Sequence, residues 1–495
     1  MSMNLVVHAI VWFGALRFGD DRRTNRCGWM ILRSVFLIGL FLSQAKALNA
    51  VEPRTIAMEP RLTLAPFRAD VTPPIGDGPC VGCMPTVTSI EHPLELRGIV
   101  LRAGTDVYVI AAVDYCGICN TSDEYIRDEM ARAAGTTRDR VVLQSLHQHT
   151  APILDADAVR ILHGEHSEQL KQHLRFTKDV ATRAADAILK AVPFAQSVTR
   201  VVATKAIVER TASNRRVPRS DGSIGVRASL THDQSLRDAP EGLIDPWLRT
   251  LTFFAGDIRL AQLHYYATHP QTFYGDARIS WDCVGMARQK FEQETGVFQI
   301  YFNGCGGNVT VGKYNDGSRT ARDGFASRLQ DAMRRSSSGD SACSVDVSGM
   351  QKSEIEWTSA PVQFTVREEG AFHPKLLEQQ LHPDQPFSVR LTAAMFSGFG
   401  ERLRSGHIAQ MTRLRIGAID IVHLPGEPFV EFQLFAQTQA EQGTFVCVAG
   451  YGDCGVWYYG PDQIYSDRGG FEQTWSLTGP CEQSVRSAMS LLLER

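Results

Sequence analysis

The chain has 495 residues, 43% hydrophobic and 21% charged, with a formal net charge of -3. That balance is ordinary for a soluble globular protein, and length alone allows roughly two to four domains. With no long basic or acidic block, nothing points to nucleic acid or to electrostatic attachment to a membrane surface.

Residues 1–29 read as a disordered leader carrying Arg22, Arg23 and Arg26. Residues 30–43 then give a basic start and a short apolar run, followed by Ala45-Lys-Ala47, an Ala-x-Ala cleavage signal. The run is too short for an ordinary transmembrane helix. Residues 30–47 therefore read as a signal peptide with Met30 as the start, and the mature chain as secreted or periplasmic. Losing Cys27 leaves an even number of the 11 cysteines. Cys80-Val-Gly-Cys83 and Cys116-Gly-Ile-Cys119 would form disulfides or, together, a tetrathiolate zinc site; export favours disulfides for some of them. Cys447, Cys454 and Cys481 offer another pair.

Residues 107–113 read as a buried strand ending at Asp114. Thr121-Ser-Asp-Glu124 is a capping-box pattern opening a helix to about Ala134. Residues 140–146 read as a buried strand that delivers His147 and His149; a period of two would point both imidazoles the same way. A helix covers residues 167–191. Residues 248–254 and 260–266 form a strand pair around Gly256-Asp257, and 298–302 another buried strand. Residues 334–344, with their serine run, read as a surface loop. Late strands at 413–424 and 444–449 flank a helix over 428–442. No internal repeat or linker divides the chain. The expectation is an α/β fold of mixed β-sheets with flanking helices. It forms one catalytic domain over 64–495, with its site at strand ends, where such folds place ligands.

Four loops, each after a strand, carry unusual polar residues. They hold His147 and His149; Thr268-His269-Pro270; Pro425-Gly-Glu427-Pro428; and Tyr458-Tyr459. Histidine nitrogen and carboxylate oxygen are good zinc ligands, and single ligands on separate loops are normal for catalytic zinc. Glu427 also reads as a carboxylate at a helix start, favoured by the helix dipole. Asp114 and Asp282 are candidates to hold a histidine or backbone. His264 and His423 read as buried and hydrogen-bonded, His163 and His166 as solvated. Rival signatures fail on the residues. Ala151-Pro152 replace the Asp-His of a metallo-β-lactamase-like motif, Val87 replaces the arginine of Cys-x-Pro-x-Arg, and Ser145 has no flanking glycines.

Seven motifs occur in order. They are Phe67-Arg-Ala-Asp-Val-Thr-Pro-Pro-Ile-Gly76; Leu146-His-Gln-His-Thr-Ala-Pro152; Asn214-Arg215-Arg216 with Asp221-Gly222; Ala267-Thr-His-Pro270 with Ser280-Trp-Asp282; Phe302-Asn-Gly-Cys-Gly-Gly-Asn-Val-Thr310; Leu424-Pro-Gly-Glu427; and Tyr458 with Tyr465 and Gly469-Gly-Phe-Glu472. Together they resemble the neutral/alkaline non-lysosomal ceramidase family over roughly residues 64–480. The resemblance implies a zinc-dependent hydrolase of a linear amide, the N-acyl bond of ceramide in that family. It implies Zn2+ held by His147, His269, Glu427 and Tyr458. Tyr458 is preferred to Tyr459 because only it has the spacing to Tyr465, and Tyr451 reads as packing. The resemblance also implies His149 beside the metal as a hydrogen-bonding or acid/base group, Arg215 at the scissile carbonyl, and Thr310 where the family has a serine. Gly306-Gly307 would offer N–H groups to an oxyanion.

The chain departs from the family at Asn308, Thr310, Val311 and Phe471, where aspartate, serine, proline and tyrosine are expected. The motifs reach close to residue 480, and the expectation is the catalytic domain alone, without the family's C-terminal immunoglobulin-like domain. These departures bear on the substrate more than on the metal. The expected partner is ceramide, another N-acyl lipid or a related small amide, with transient membrane-surface contact for a lipid. Oligomeric state is left open. The rival from another class is a catalytically decayed lipid- or carbohydrate-binding protein on the same scaffold. Retention of all four candidate ligands argues against it.

Overall fold

The computed structural model describes residues 62–76, 87–272, 277–351 and 354–494. The leader, the signal segment, Cys27, Cys80 and Cys83 lie outside the described residues. Three larger sheets carry the fold. The first holds β1 (Leu62–Asp70), β2 (Glu95–Ala103), β3 (Asp106–Val113) and β4 (Val141–Ser145). The second holds β5 (Arg200–Ile207), β6 (Trp247–Ala255), β7 (Ile258–Tyr266) and β8 (Phe298–Asn303). The third holds β9 (Ile355–Val362), β10 (Ala409–Ile416), β11 (Ile419–Pro425) and β12 (Phe445–Gly452).

One plan recurs in all three. The first three strands run antiparallel, and the fourth joins the third in parallel. A parallel neighbour requires a crossover, and a helix makes each one: α1 (Asn120–Ala134), α3 (Asp282–Thr295) and α5 (Val430–Gln439). A second helix follows each fourth strand and packs on the crossover helix and on the sheet's first strand: α2 (Glu168–Ala191), α4 (Arg319–Ser338) and α6 (Glu482–Leu493). The fold thus contains an internal repeat of topology that the sequence does not show. The expected α/β class of mixed sheets with flanking helices holds.

Sequence accounts for these elements locally. Seven of β3's eight residues are buried, which suits its apolar run packed on both faces. α2 buries Leu170, His173, Phe176, Val180, Ala184 and Ile188, a helical stripe, and Ser167 caps it by accepting from Leu170 N–H. One apolar cluster then joins the three sheets, through Ile110, Leu146, Tyr266, Phe302, Ile421 and Ala449. β4, β8 and β12 contact one another. The loops after the parallel pairs therefore meet, and this is where the candidate site lies.

Several expectations are corrected. Thr121–Glu124 lies inside α1, whose cap position is Cys119; the free N–H groups of Asn120 and Thr121 are met by the Asp453 and Asp157 carboxylates. Residues 334–338 finish α4, and Cys343–Asp346 is an edge strand on β5. Glu427 does not open a helix: α5 starts at Val430, and Glu427–Pro428 pairs as a short strand. All eight described cysteines are free, so the expected pairing of Cys447, Cys454 or Cys481 is not formed. No described helix is long and apolar enough to cross a membrane.

Candidate metal centre

His147 follows β4, His269 follows β7, Glu427 follows β11 and Tyr458 follows β12; all four are buried. His147 Nε2 and His269 Nε2 each lie 3.2 Å from Glu427 Oε2. The Tyr458 hydroxyl lies 3.0 Å from His269 Nε2.

Backbone carbonyls aim the two imidazoles. His147 Nδ1–H donates to Cys116 O and His269 Nδ1–H to Gly306 O, both at 2.7 Å. Each carbonyl sits in the loop of the neighbouring parallel strand. These bonds fix the tautomer and leave both Nε2 lone pairs facing Glu427. The convergence of His147 and His149 does not come from the pleat, as sequence suggested. The strand ends at Ser145, and His147 adopts φ +65°, a left-handed conformation costly for a non-glycine residue. Glu427 and Tyr458 are placed by one short parallel ladder, Glu427 opposite Tyr458. Gly426 makes the entry, with φ +62° and the Trp457 carbonyl only 2.7 Å from where a Cβ would stand.

Glu427 Oε2 is buried and receives no hydrogen bond. Nitrogen lone pairs and a carboxylate oxygen facing one another repel unless a cation lies among them. Two imidazole nitrogens, a carboxylate and a phenol form a donor set that zinc accepts. Tetrahedral zinc with bonds of about 2.0–2.1 Å keeps its ligands about 3.3–3.4 Å apart. Three of the six ligand–ligand edges, His147–Glu427 and His269–Glu427 at 3.2 Å and Tyr458–His269 at 3.0 Å, are close to that. The residues present therefore fit zinc. Burial, then Arg215, pushes His269 well down, which keeps its lone pair available. Burial raises the Tyr458 phenol, with Arg215 opposing; a cation at the cluster acts in the same sense as Arg215.

Neighbouring residues sort themselves by geometry. The Tyr459 hydroxyl donates to Pro425 O, away from the cluster. Tyr451 stacks on His147, with centroids 4.6 Å apart. Cys116 Sγ approaches His147 only on its Nδ1 side, at 4.0 Å. His149 Nε2 lies 3.3 Å from His147 Nε2, but His149 does not join the compact set of His147, His269 and Glu427. Arg215 Nη1 donates to the Tyr458 hydroxyl at 3.0 Å, and its guanidinium lies over Phe471.

The Gly-rich loop serves differently from expectation. Gly307 N–H donates to Pro428 O, and the Gly306 carbonyl holds His269, so Gly307 has no N–H to spare for an oxyanion. Asn308 accepts from Val430 N–H and donates to Glu431, which an aspartate could not do. Thr310 is fully buried; its hydroxyl meets Ser229, and its backbone bridges to His269. Asp114 pairs with Arg288, and Asp282 accepts from Thr272; neither touches a candidate ligand.

Above the cluster is a cavity of about 220 Å3. His147, His149, Arg215, Glu427 and Tyr458 line its polar side; Val226, Ala228, Trp457, Phe471 and Trp475 line the other. A second cavity of about 510 Å3, walled by Asp123, Arg127, Gln144 and His423, contains none of the candidate ligands. Sequence reasoning missed Gln271, Ser229, Trp457 and Trp475. Gln271, two residues past His269, was within reach of the motif; Ser229 carried no signal.

No family model and no curated protein matches the chain. Solved structures do match in fold. A ceramidase complexed with C2 superposes with a TM-score of 0.63 at 15% identity, over 88% of this chain and 74% of the other. The neutral ceramidase from Pseudomonas aeruginosa gives the same score and identity, over 88% of this chain and 73% of its own. At that identity the likeness is one of architecture: this chain has a ceramidase-like fold.

Proposed function

We propose that this chain is an exported, zinc-dependent hydrolase of a linear C–N amide bond, acting on an N-acyl lipid such as ceramide or on a related amide. The observation that carries the reading is the meeting of His147, His269 and Glu427, with the Tyr458 hydroxyl beside them, from four loops beneath a cavity with an apolar wall. His147, His269, Glu427 and Tyr458 would hold the ion. Bound there, zinc would supply Lewis acidity and lower the pKa of water to near neutral pH. Arg215 directs N–H groups into the same space to bind the carbonyl oxygen as charge develops. His149 adds a hydrogen-bonding group beside it. Trp457, Trp475 and Phe471 seat the apolar part of the substrate and exclude water from that wall. Export rests on residues 30–47 alone.

The test is hydrolysis by the purified mature chain of short- and long-chain ceramides, N-acyl amino acids and simple anilides. The reading expects cleavage of at least one amide, lost on chelation and restored by zinc. Zinc-loaded protein that cleaves none of them would favour the decayed binding protein.

A further inference from the structure

Behind His149 runs a chain of polar side chains outside the ligand set. Gln271 Nε2 lies 3.1 Å from His149 Nδ1. Gln271 Oε1 accepts from the Ser229 hydroxyl at 2.6 Å. Ser229 Oγ in turn lies 2.7 Å from the Thr310 hydroxyl. Gln271, Ser229 and Thr310 are all buried, and each comes from a different loop.

Counting donors gives the chain a direction. The one Ser229 proton goes to Gln271 Oε1, so Ser229 oxygen accepts from Thr310. With Oε1 engaged, Gln271 meets His149 through its amide N–H, and His149 Nδ1 must accept. A neutral imidazole carries a single proton, which is then on Nε2. His147 Nε2 lies opposite at 3.3 Å. The His147 proton is committed to Cys116 O, so that nitrogen offers a lone pair, and N–H meets lone pair. The reverse tautomer would aim two lone pairs at each other.

We infer that Gln271 is a positioning residue that takes His149 Nδ1 as an acceptor and so keeps the ring proton on Nε2, with Ser229 and Thr310 locking the Gln271 amide. Resting on the hydrolase reading, this makes His149 a fixed hydrogen-bond donor to the scissile carbonyl oxygen as it gains negative charge. A threonine in place of serine is accommodated, because the position needs only a hydroxyl donor.

The test is 15N NMR of metal-free protein labelled in the histidine rings, with the His149 signals identified by their loss in His149→Gln. Wild type is expected to show the proton on Nε2. Gln271→Glu puts an acceptor-only group against Nδ1 and is expected to move the proton there. With zinc content and melting temperature unchanged, kcat in Gln271→Glu falls about 10²–10³-fold, the usual cost of one oxyanion donor, at nearly constant KM. A wild-type proton on Nδ1, or an unmoved tautomer in folded Gln271→Glu, overturns the inference. Wild type with the Nε2 proton that cleaves no amide keeps Gln271 as the positioning residue and removes the hydrolase reading instead.

Discussion

Glu427 and Tyr458 stand opposite each other on a two-residue parallel ladder, so a single register places both candidate oxygen ligands. The ladder is closed by Glu427 N–H to Trp457 O at 2.9 Å and Phe429 N–H to Tyr459 O at 3.0 Å. A slip of one residue would offer Tyr459, whose hydroxyl is held by Pro425 O. Tyr458→Phe keeps the ring and the ladder and removes only the oxygen. Zinc affinity, measured against a competing chelator, is expected to fall by about 10–100-fold, as for other losses of metal-site support. Tyr459→Phe is expected to leave it nearly unchanged.

Arg215 is buried, and its hydrogen bond to Tyr458 is not backed by any carboxylate ion pair among the described residues. Arg215→Met retains bulk and removes the donors. Steady-state kinetics on the best amide substrate should show kcat/KM lower by about 10²–10³-fold, with zinc content unchanged.

Gly307 must lie against the Glu427 strand. A Cβ there would stand 2.5 Å from Glu427 O and 2.9 Å from Pro428 O, both backbone atoms. Gly307→Ala is expected to cost about 1–3 kcal/mol, the usual range for overpacking, and to weaken zinc retention because Glu427 is displaced. Gly349→Ala, where a Cβ meets nothing within 4 Å, is the control. Urea melts of both variants check the difference.

Two buried histidines should stabilise the fold less as pH falls. Burial lowers His264 to about 4 and His423 to about 3. The unfolded chain therefore takes up these protons first. Their stabilisation is complete above pH 6.5 and is lost as pH falls towards 4 and then 3, on the order of 3 kcal/mol or more each. Asp155 acts in the opposite sense: burial raises it to about 7, so its contribution shrinks as pH rises from 4 to 7. Asp123, raised by burial to about 6, acts in the same sense as Asp155, so the histidine contribution is read from a variant and not from the total. Between pH 6.5 and 4, the slope of unfolding free energy against pH in His264→Gln should be lower than in wild type by about one proton's worth, whatever the variant's absolute stability.

Legibility in the sequence followed the range of the interactions. β3, β8 and α2 were readable because apolar runs and a 3.6-residue stripe are local properties. The repeated topology was not, because its copies share strand order and not residues. The equivalent third strands are followed by Asp114, Ala267 and Gly426. The four loops carrying His147, His269, Glu427 and Tyr458 could be named from residue type and order, and the structure brings those side chains together. The cause of the His147 turn was misread, since a pleat cannot foretell a left-handed residue. The Gln271–Ser229–Thr310 chain was invisible because it joins three loops distant in sequence.

The most direct test of the central claim is metal content, measured by elemental mass spectrometry on the chain purified without added metal, beside His269→Ala. One zinc per wild-type chain, absent from a folded His269→Ala, is the predicted result. A wild type that holds no zinc even after zinc is supplied, or a His269→Ala protein that keeps a full equivalent, would contradict it.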